Sequence, residues 1–218
     1  MTAPILHIVE QNRFWLSPHR AIFWEDEKAL IVSDTHFGKT GHFRKHGIAV
    51  PPQVYQEDLQ RFFNLIHEFK VEKIIIVGDF FHSVANEELN LFLKWRSDFL
   101  PIHFILVRGN HDILHNNWYT GADIKVYDGV FTLNGFQFVH DPAILTTTNK
   151  SLFTFSGHIH PGIAIKGMAK QSLKFPCFYF TQHQCILPAF SKFSGLKIMK
   201  QKKGSRVFIL NEGAVIPL

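Results

Sequence analysis

The stretch Leu30-Ile31-Val32-Ser33-Asp34-Thr35-His36 decides how this chain is read. An apolar run ends on Asp-x-His. Alternate residues of a strand point to the same side. Asp34 and His36 are therefore expected to project together from the C-terminal end of a buried strand, which is where open α/β sheets bind ligands. One carboxylate and one imidazole at that spacing can share a metal ion. Alone, such a pair is more often a turn cap and a surface ring. Its weight comes from what ends the later apolar runs.

Working outward, Ile5–Val9, Phe14–Leu16, Ala21–Trp24 and Ala29–Val32 are short apolar pieces separated by polar or Pro-containing turns, an antiparallel meander feeding the Asp34 strand. Residues 53–69 carry Val54, Leu59, Phe62, Phe63, Ile66 and Phe69 at helical spacing. Ile74-Ile75-Ile76-Val77, a run suited to a strand covered on both faces, ends at Gly78-Asp79. A second helix is expected over 86–99. Phe104–Val107 then ends in Arg108-Gly109-Asn110-His111-Asp112. Beyond this the periodicity shortens. Ile124–Tyr127, Val130–Leu133 and Phe136–Val139 read as strands, with Asn134-Gly135 a hairpin turn. Phe153-Thr154-Phe155 leads to Gly157-His158-Ile159-His160, and Leu173–Phe180, Gln184–Leu187 and Arg206–Leu210 follow as strands. No linker or repeat divides the chain. The expectation is one domain over residues 1–218, α/β in class, with two packed sheets and helices outside.

Composition narrows the function. Hydrophobic residues are 46% and charged residues 19%, as in an ordinary soluble protein. No apolar stretch approaches the roughly 18 residues of a membrane span, and Met1-Thr2-Ala3-Pro4 starts no secretory signal. Cys177 and Cys185 fit a reducing compartment without a disulfide, so the cytoplasm is the expected location. The net charge of +5 favours polyanionic partners weakly.

Five polar clusters thus appear in order: Asp34-x-His36, Gly78-Asp79, Gly109-Asn110-His111, His140 and Gly157-His158-x-His160. At least four end an apolar run of strand length. Their donors are carboxylate, amide oxygen and imidazole, with no thiolate, a set for Mn, Fe or Zn in mixed N/O coordination. Seven ligands exceed one tetrahedral ion; two ions sharing a bridging carboxylate would use them all.

The order D-x-H, G-D, G-N-H, H, G-H-x-H resembles that of the calcineurin-like metallophosphoesterases, across residues 34 to 160. Gly38-Lys39, Phe43-Arg44 and Gly47, with Cys177-Phe178 and Leu187-Pro188-Ala189-Phe190, are similar to the bacterial ligase-associated DNA damage response endonucleases. The resemblance implies a four-layer αββα sandwich of two mixed β-sheets flanked by helices. It implies one ion on Asp34, His36 and His160, a second on Asn110, His140 and His158, and Asp79 bridging them. The ions would be divalent, Mn2+ first, with Zn2+, Fe2+ or Mg2+ as alternatives. His111 would face the substrate phosphate. Where many relatives carry an acid after G-D, this chain offers His82, a departure that leaves its role open.

Arg108 and Asp112 flank His111 and could orient phosphate or imidazole, or serve structure alone. Lys39, His42, Arg44, Lys45 and His46 lie in a loop directly after the first ligand pair, which makes Lys39, Arg44 and Lys45 candidates for phosphate contact. The run Lys197, Lys200, Lys202, Lys203 and Arg206 reads first as a charged turn, with nucleic-acid contact the minority reading. The implied function is a phosphodiesterase or endonuclease acting on DNA, with DNA-repair helicase or ligase proteins as associates and no membrane partner. Small nucleotides are the alternative substrates. An inactive scaffold of the same fold is the alternative from another class.

Overall fold

A computed structural model describes residues 3–39, 52–82, 87–145, 152–167 and 171–218. The first sheet holds β1 (Ile5–Val9), β2 (Asn12–Ser17), β3 (Ala21–Trp24), β4 (Ala29–Val32), β5 (Lys73–Val77), β6 (His103–Val107) and β7 (Ile124–Tyr127), adjacent in that order. β1 to β4 form the antiparallel meander. β4 to β7 run parallel, joined by helices α1 (Pro52–Phe69), α2 (Glu87–Arg96) and α3 (Asn116–Gly121).

The second sheet is built from β8 (Val130–Leu133), β9 (Phe136–Val139), β10 (Phe153–Ser156), β11 (Pro161–Lys166), β12 (Ser172–Phe180), β13 (Gln184–Ile186) and β14 (Lys197–Ile198). Their order is β14-β11-β12-β13-β10-β9-β8, with β15 (Arg206–Asn211) on β12 and β16 (Ala214–Pro217) on β15. β10 is parallel to both neighbours, β9 and β13, inside an otherwise largely antiparallel sheet. Both sheets are therefore mixed. Asn134 (φ 44°) and Gly135 (φ 82°) make the β8–β9 turn, the two left-handed residues of a primed hairpin.

The apolar runs read as buried strands divide their side chains by parity. Ile74 and Ile76 pack under the helices with Phe62, Leu65 and Phe92, whereas Ile75 and Val77 enter the core between the sheets. That alternation is why β5 must be apolar at consecutive positions. The intersheet core is largely aromatic. Phe138 stacks on Phe155 at 5.4 Å, and Phe14 meets Phe136 edge-on at 5.2 Å, the offset and T-shaped geometries that rings prefer. The described α-helices lie on the first sheet. On the far side of the second sheet Tyr179, Val207 and Ile209 are closed over by Ile159, Phe175 and Met199. Cys177 and Cys185 are free and buried, and burial pushes the Cys177 thiol up to about 12. No helix among the described residues is long and apolar enough to cross a membrane.

His7 on β1 packs against Phe180 and Phe208 at 4.4 and 5.1 Å. Burial, helped by the charge of Arg206, pushes its pKa down to about 4. The folded value lies below the unfolded one, so the fold favours neutral His7. Its contribution is complete above about pH 6.5 and is lost as pH falls toward 4. His7→Met, close in volume, is expected to flatten the acid limb of stability in that window. Urea titrations at several pH values check this, and parallel limbs for the two proteins would refute it.

Candidate metal centre

Every candidate cluster sits just past the C-terminal end of a parallel strand. Asp34 and His36 follow β4, Asp79 follows β5, and Asn110 and His111 follow β6. From the second sheet, His140 follows β9 and His158 and His160 follow β10. The parallel segments of both sheets thus end at one seam.

Asp34 and His36 do not converge by strand alternation, because β4 ends at Val32. Each instead takes a left-handed backbone turn, with φ 53° and 48°. Asp79, His158 and His160 do the same at 52°, 65° and 51°. Left-handed geometry disfavours a non-glycine residue by roughly 1–2 kcal/mol, and such strain concentrates at functional sites. Neighbouring loops hold it in place: Asp34 N donates to Gly78 O at 3.0 Å and His36 N to Asp79 O at 2.9 Å. Two glycines permit the approach. A Cβ on Gly109 would lie 2.3 Å from Asp79 N, and one on Gly157 would lie 1.9 Å from Ser33 Oγ.

Two groups of donors result. Ligand atoms of Asp34, His36 and His160 lie within 4.8 Å of one another, and so do those of Asp34, Asp79 and His140. Asp34 is common to both, whereas the sequence resemblance gives the bridging place to Asp79. His160 Nε2 is 3.1 Å from Asp34 Oδ1, and His140 Nε2 is 3.4 Å from Asp79 Oδ2. In both rings Nδ1 meets a carbonyl, Gly195 O at 3.3 Å and Val77 O at 3.0 Å. A proton on Nδ1 leaves the Nε2 lone pair facing the centre, the usual outer support of a metal-binding histidine. His36 is 5% exposed, and neither ring nitrogen has a hydrogen-bond partner. Burial, with Lys39 adding to it, pushes its pKa down to about 3. A buried neutral imidazole with an idle lone pair fits a metal ligand. Burial would raise the Asp79 pKa, yet a protonated His140 ring beside it outweighs that and holds the carboxyl well below its usual range; an ion bound at Nε2 would take the place of that proton. These donors fit divalent metal binding.

Around this centre, His158 is exposed, its ring 5.1 Å from that of His140, while its N–H donates to Asp34 Oδ2 at 3.1 Å across the seam. Asn110 is exposed on the β6 loop. His111 is half exposed, and its N–H donates to Asp79 Oδ1 at 2.9 Å. The His82 ring lies 4.2 Å from that of His111 and 5.5 Å from that of His36. Lys39 is partly buried; burial lowers its pKa, and the charges of Asp79 and Asp34 oppose that. Arg44 and Lys45 lie outside the described residues.

Arg108 and Asp112 are bound up in holding loops. Arg108 donates to Asp128 Oδ1, Asn116 Oδ1 and Asp112 O at 2.7, 2.6 and 2.8 Å. Asp112 is 3% exposed. Its Oδ1 accepts from Phe80 N and Phe81 N, and its Oδ2 from Gly109 N. It therefore ties the Asp79 loop to the Asn110 loop.

Sequence reasoning missed Ser33, whose Oγ is 2.6 Å from Asp34 Oδ2 and 2.7 Å from Val77 O; adjacency to Asp34 was its only signal. It also missed what the 189–191 segment does. Phe190 N donates to Ser33 O and Ser191 N to Asp34 O, while Arg20 and Arg61 donate to the segment's carbonyls from behind.

The sequence profile of the calcineurin-like phosphoesterases matches residues 27–179. Among solved structures, that of the Pseudomonas putida nuclease MPE is similar over 99% of this chain and 100% of that one, with a TM-score of 0.83 and 29% identity. The protein of unknown function AQ665 from Aquifex aeolicus is 22% identical over 61% of this chain and 78% of its own, with a TM-score of 0.43. No curated protein sequence matches the chain.

Asp112→Asn is expected to destabilise the protein by ~1–3 kcal/mol, because an amide nitrogen replaces one of the two accepting oxygens and leaves a buried N–H unpaired. Activity should fall with it as the Asn110–His111 loop loosens. Denaturant unfolding and steady-state rates check both, and wild-type values for both would make the three-donor cradle irrelevant.

Proposed function

The chain belongs to the calcineurin-like phosphoesterase family, and from that premise we propose that it is a two-metal phosphodiesterase that cuts DNA. It is a metal-dependent phosphoric ester hydrolase; the number of ions, their identity and the substrate are our reading. The observation that carries it is the pair of oxygen- and nitrogen-only donor groups meeting at Asp34 on the seam between the sheets. One ion would be held by Asp34, His36 and His160, the other by Asp79 and His140 with Asn110 and His158 from the exposed rim. Mn2+ suits such a mixed set, and Zn2+, Fe2+ and Mg2+ are its competitors. Bound divalent ions supply Lewis acidity toward a phosphoryl oxygen and activate water at neutral pH.

The chain's own residues do the rest. His111, half exposed and fixed through its backbone by Asp79, holds a proton at the rim for the departing oxygen. Lys39 places a cation beside the two carboxylates, where a phosphoryl oxygen would be drawn in. Arg108 and Asp112 act as positioning residues for the His111 loop. Arg44 and Lys45, a few residues beyond Lys39 in the sequence, remain candidates for neighbouring phosphates. The nuclease MPE, similar over the full length of the chain, supports nucleic acid as the substrate. The subfamily motifs add DNA repair, alongside helicase or ligase proteins, in the cytoplasm, where the two free thiols would stay reduced.

The direct test is hydrolysis of bis(p-nitrophenyl) phosphate and of single-stranded DNA, with Mn2+, Zn2+ or Mg2+ restored after chelation. Metal-dependent cleavage of both substrates is expected. Cleavage of small nucleotides alone would move the substrate class, and no cleavage with any metal would leave a scaffold. His111→Ala should keep its metal content and lower kcat by ~10²–10⁴; a near wild-type kcat on a substrate with a poor leaving group would make His111 structural. Asp79→Asn should lose metal, and elemental analysis showing undiminished metal would remove Asp79 from the ligand set.

A further inference from the structure

Residues 142 to 211 hold ten lysines and arginines and not one aspartate or glutamate. The rest of the chain holds 13 basic residues and all 18 acidic ones. The modest net charge of +5 therefore conceals a strong separation along the sequence. The structure gives that separation a place. β14 is the edge strand of the second sheet and pairs in parallel with β11, Lys197 opposite Pro161 and Ile198 opposite Gly162. Its backbone is hooked to the candidate centre: Lys197 N donates to His160 O at 3.0 Å, and Gly195 O meets His160 Nδ1 at 3.3 Å. From that anchor the chain leads away through Lys200, Lys202, Lys203 and Arg206, all exposed. Among the described residues no carboxylate lies within ion-pair distance of Lys197 or of these four.

The strip is also held in shape. The buried Tyr179, on the far face of the second sheet, donates its hydroxyl to Lys200 O at 3.0 Å and accepts from Lys202 N at 3.2 Å. Ser205 closes the turn by accepting from Lys202 N and donating to Lys202 O. Ordering the backbone beforehand lowers what a ligand must fix on binding.

We propose that the strip from Lys197 to Arg206 is a track for the sugar-phosphate backbone of the nucleic-acid strand that leaves the metal centre past His160. The proposal rests on the nucleic-acid reading above and names a second contact region for it. At about 3.3 Å per extended residue, Lys197 to Lys203 spans up to about 20 Å, enough for several phosphates of one strand. A small nucleotide in the centre has nothing to place there. The competing explanation is that edge-strand lysines only prevent edge-to-edge pairing between molecules. That explanation does not require a stretch of sequence without a single acid, nor lysines that begin at the site.

The test is anisotropy of a fluorescein-labelled single-stranded 20-mer titrated with the full chain in EDTA, so that no strand is cut. K200A/K202A/K203A should bind at least about tenfold more weakly at 0.1 M salt. If each lysine neutralises one phosphate, the slope of log K against log salt should become shallower by about 2, at about 0.7 per phosphate. K200R/K202R/K203R should bind as the wild type does. Wild-type affinity and slope in an alanine variant with an unchanged melting temperature would overturn the track and leave the lysines as edge guards. Should the triple variant not fold, Lys203→Gln alone carries the test with about one third of the slope change. Metal-dependent hydrolysis of bis(p-nitrophenyl) phosphate, measured separately on the wild type, keeps the two readings apart. Hydrolysis without any DNA binding overturns the track alone, and lysine-dependent binding without hydrolysis supports the track while overturning the phosphodiesterase reading.

Discussion

The 157–158 turn of the second sheet lies so close to the 33–34 turn of the first that a Cβ on Gly157 would sit 1.9 Å from Ser33 Oγ and 2.8 Å from Asp34 Oδ2. The candidate centre depends on this contact. The aromatic core fixes the separation of the sheets, but packing of rings is not directional enough to set donors at tenths of an ångström. The seam does that with hydrogen bonds, the His158 amide onto Asp34 Oδ2 and the His140 Nδ1 against Val77 O. The first sheet supplies Asp34, His36, Asp79 and Asn110 and the second His140, His158 and His160, and neither sheet alone holds a complete set.

Within the seam, backbone carbonyls do much of the chemistry's preparation. Val77 O and Gly195 O each meet an Nδ1 and leave Nε2 turned inward. His36 has no such partner on either nitrogen, and burial keeps it neutral. Such an arrangement is unfavourable for a protein with nothing to bind, because a buried polar atom without a partner forfeits its hydration. Five left-handed ligand-loop residues add to the same debt. A divalent ion offsets both, which couples the stability of the seam to its occupancy.

Behind the first-sheet turns, Arg20 and Arg61 grip the carbonyls of the 189–191 segment, whose amides in turn hold Ser33 O and Asp34 O. Arg61 is buried with Asp58 at 3.0 Å, and burial pushes the Arg61 pKa down while Asp58 opposes it. Two buried charges contribute little net stability, but removal of either would strand the other. What they secure is position. The segment crosses from the second sheet to the first and fixes the backbone on which Asp34 turns.

Sequence patterning alone located the five candidate clusters, because each follows an apolar run or closes it with glycine, and it separated a half that alternates strand and helix from a half that is mostly strand; the parallel pairing of β10 with β9 and β13 it did not show. It placed β5 and β6 as strands covered on both faces for the same reason: Ile74–Val77 and Phe104–Val107 offer no polar side. It did not find β11, α3, β14 or β16. Pro161–Lys166 begins in Pro-Gly, Asn116–Gly121 is six residues of weak helix formers, and Lys197–Ile198 is too short to show a period. It also expected Asp34 and His36 to meet by strand alternation, when both do so by left-handed turns. A period reports which side a residue faces only while the strand lasts, and β4 ends two residues before Asp34. The candidate donors were therefore legible in the sequence. Their grouping around Asp34, the carbonyls that meet Nδ1 of His140 and His160, and the loop-holding duties of Arg108 and Asp112 were decided only by the tertiary structure, because each depends on partners in other loops whose position and direction no local pattern announces.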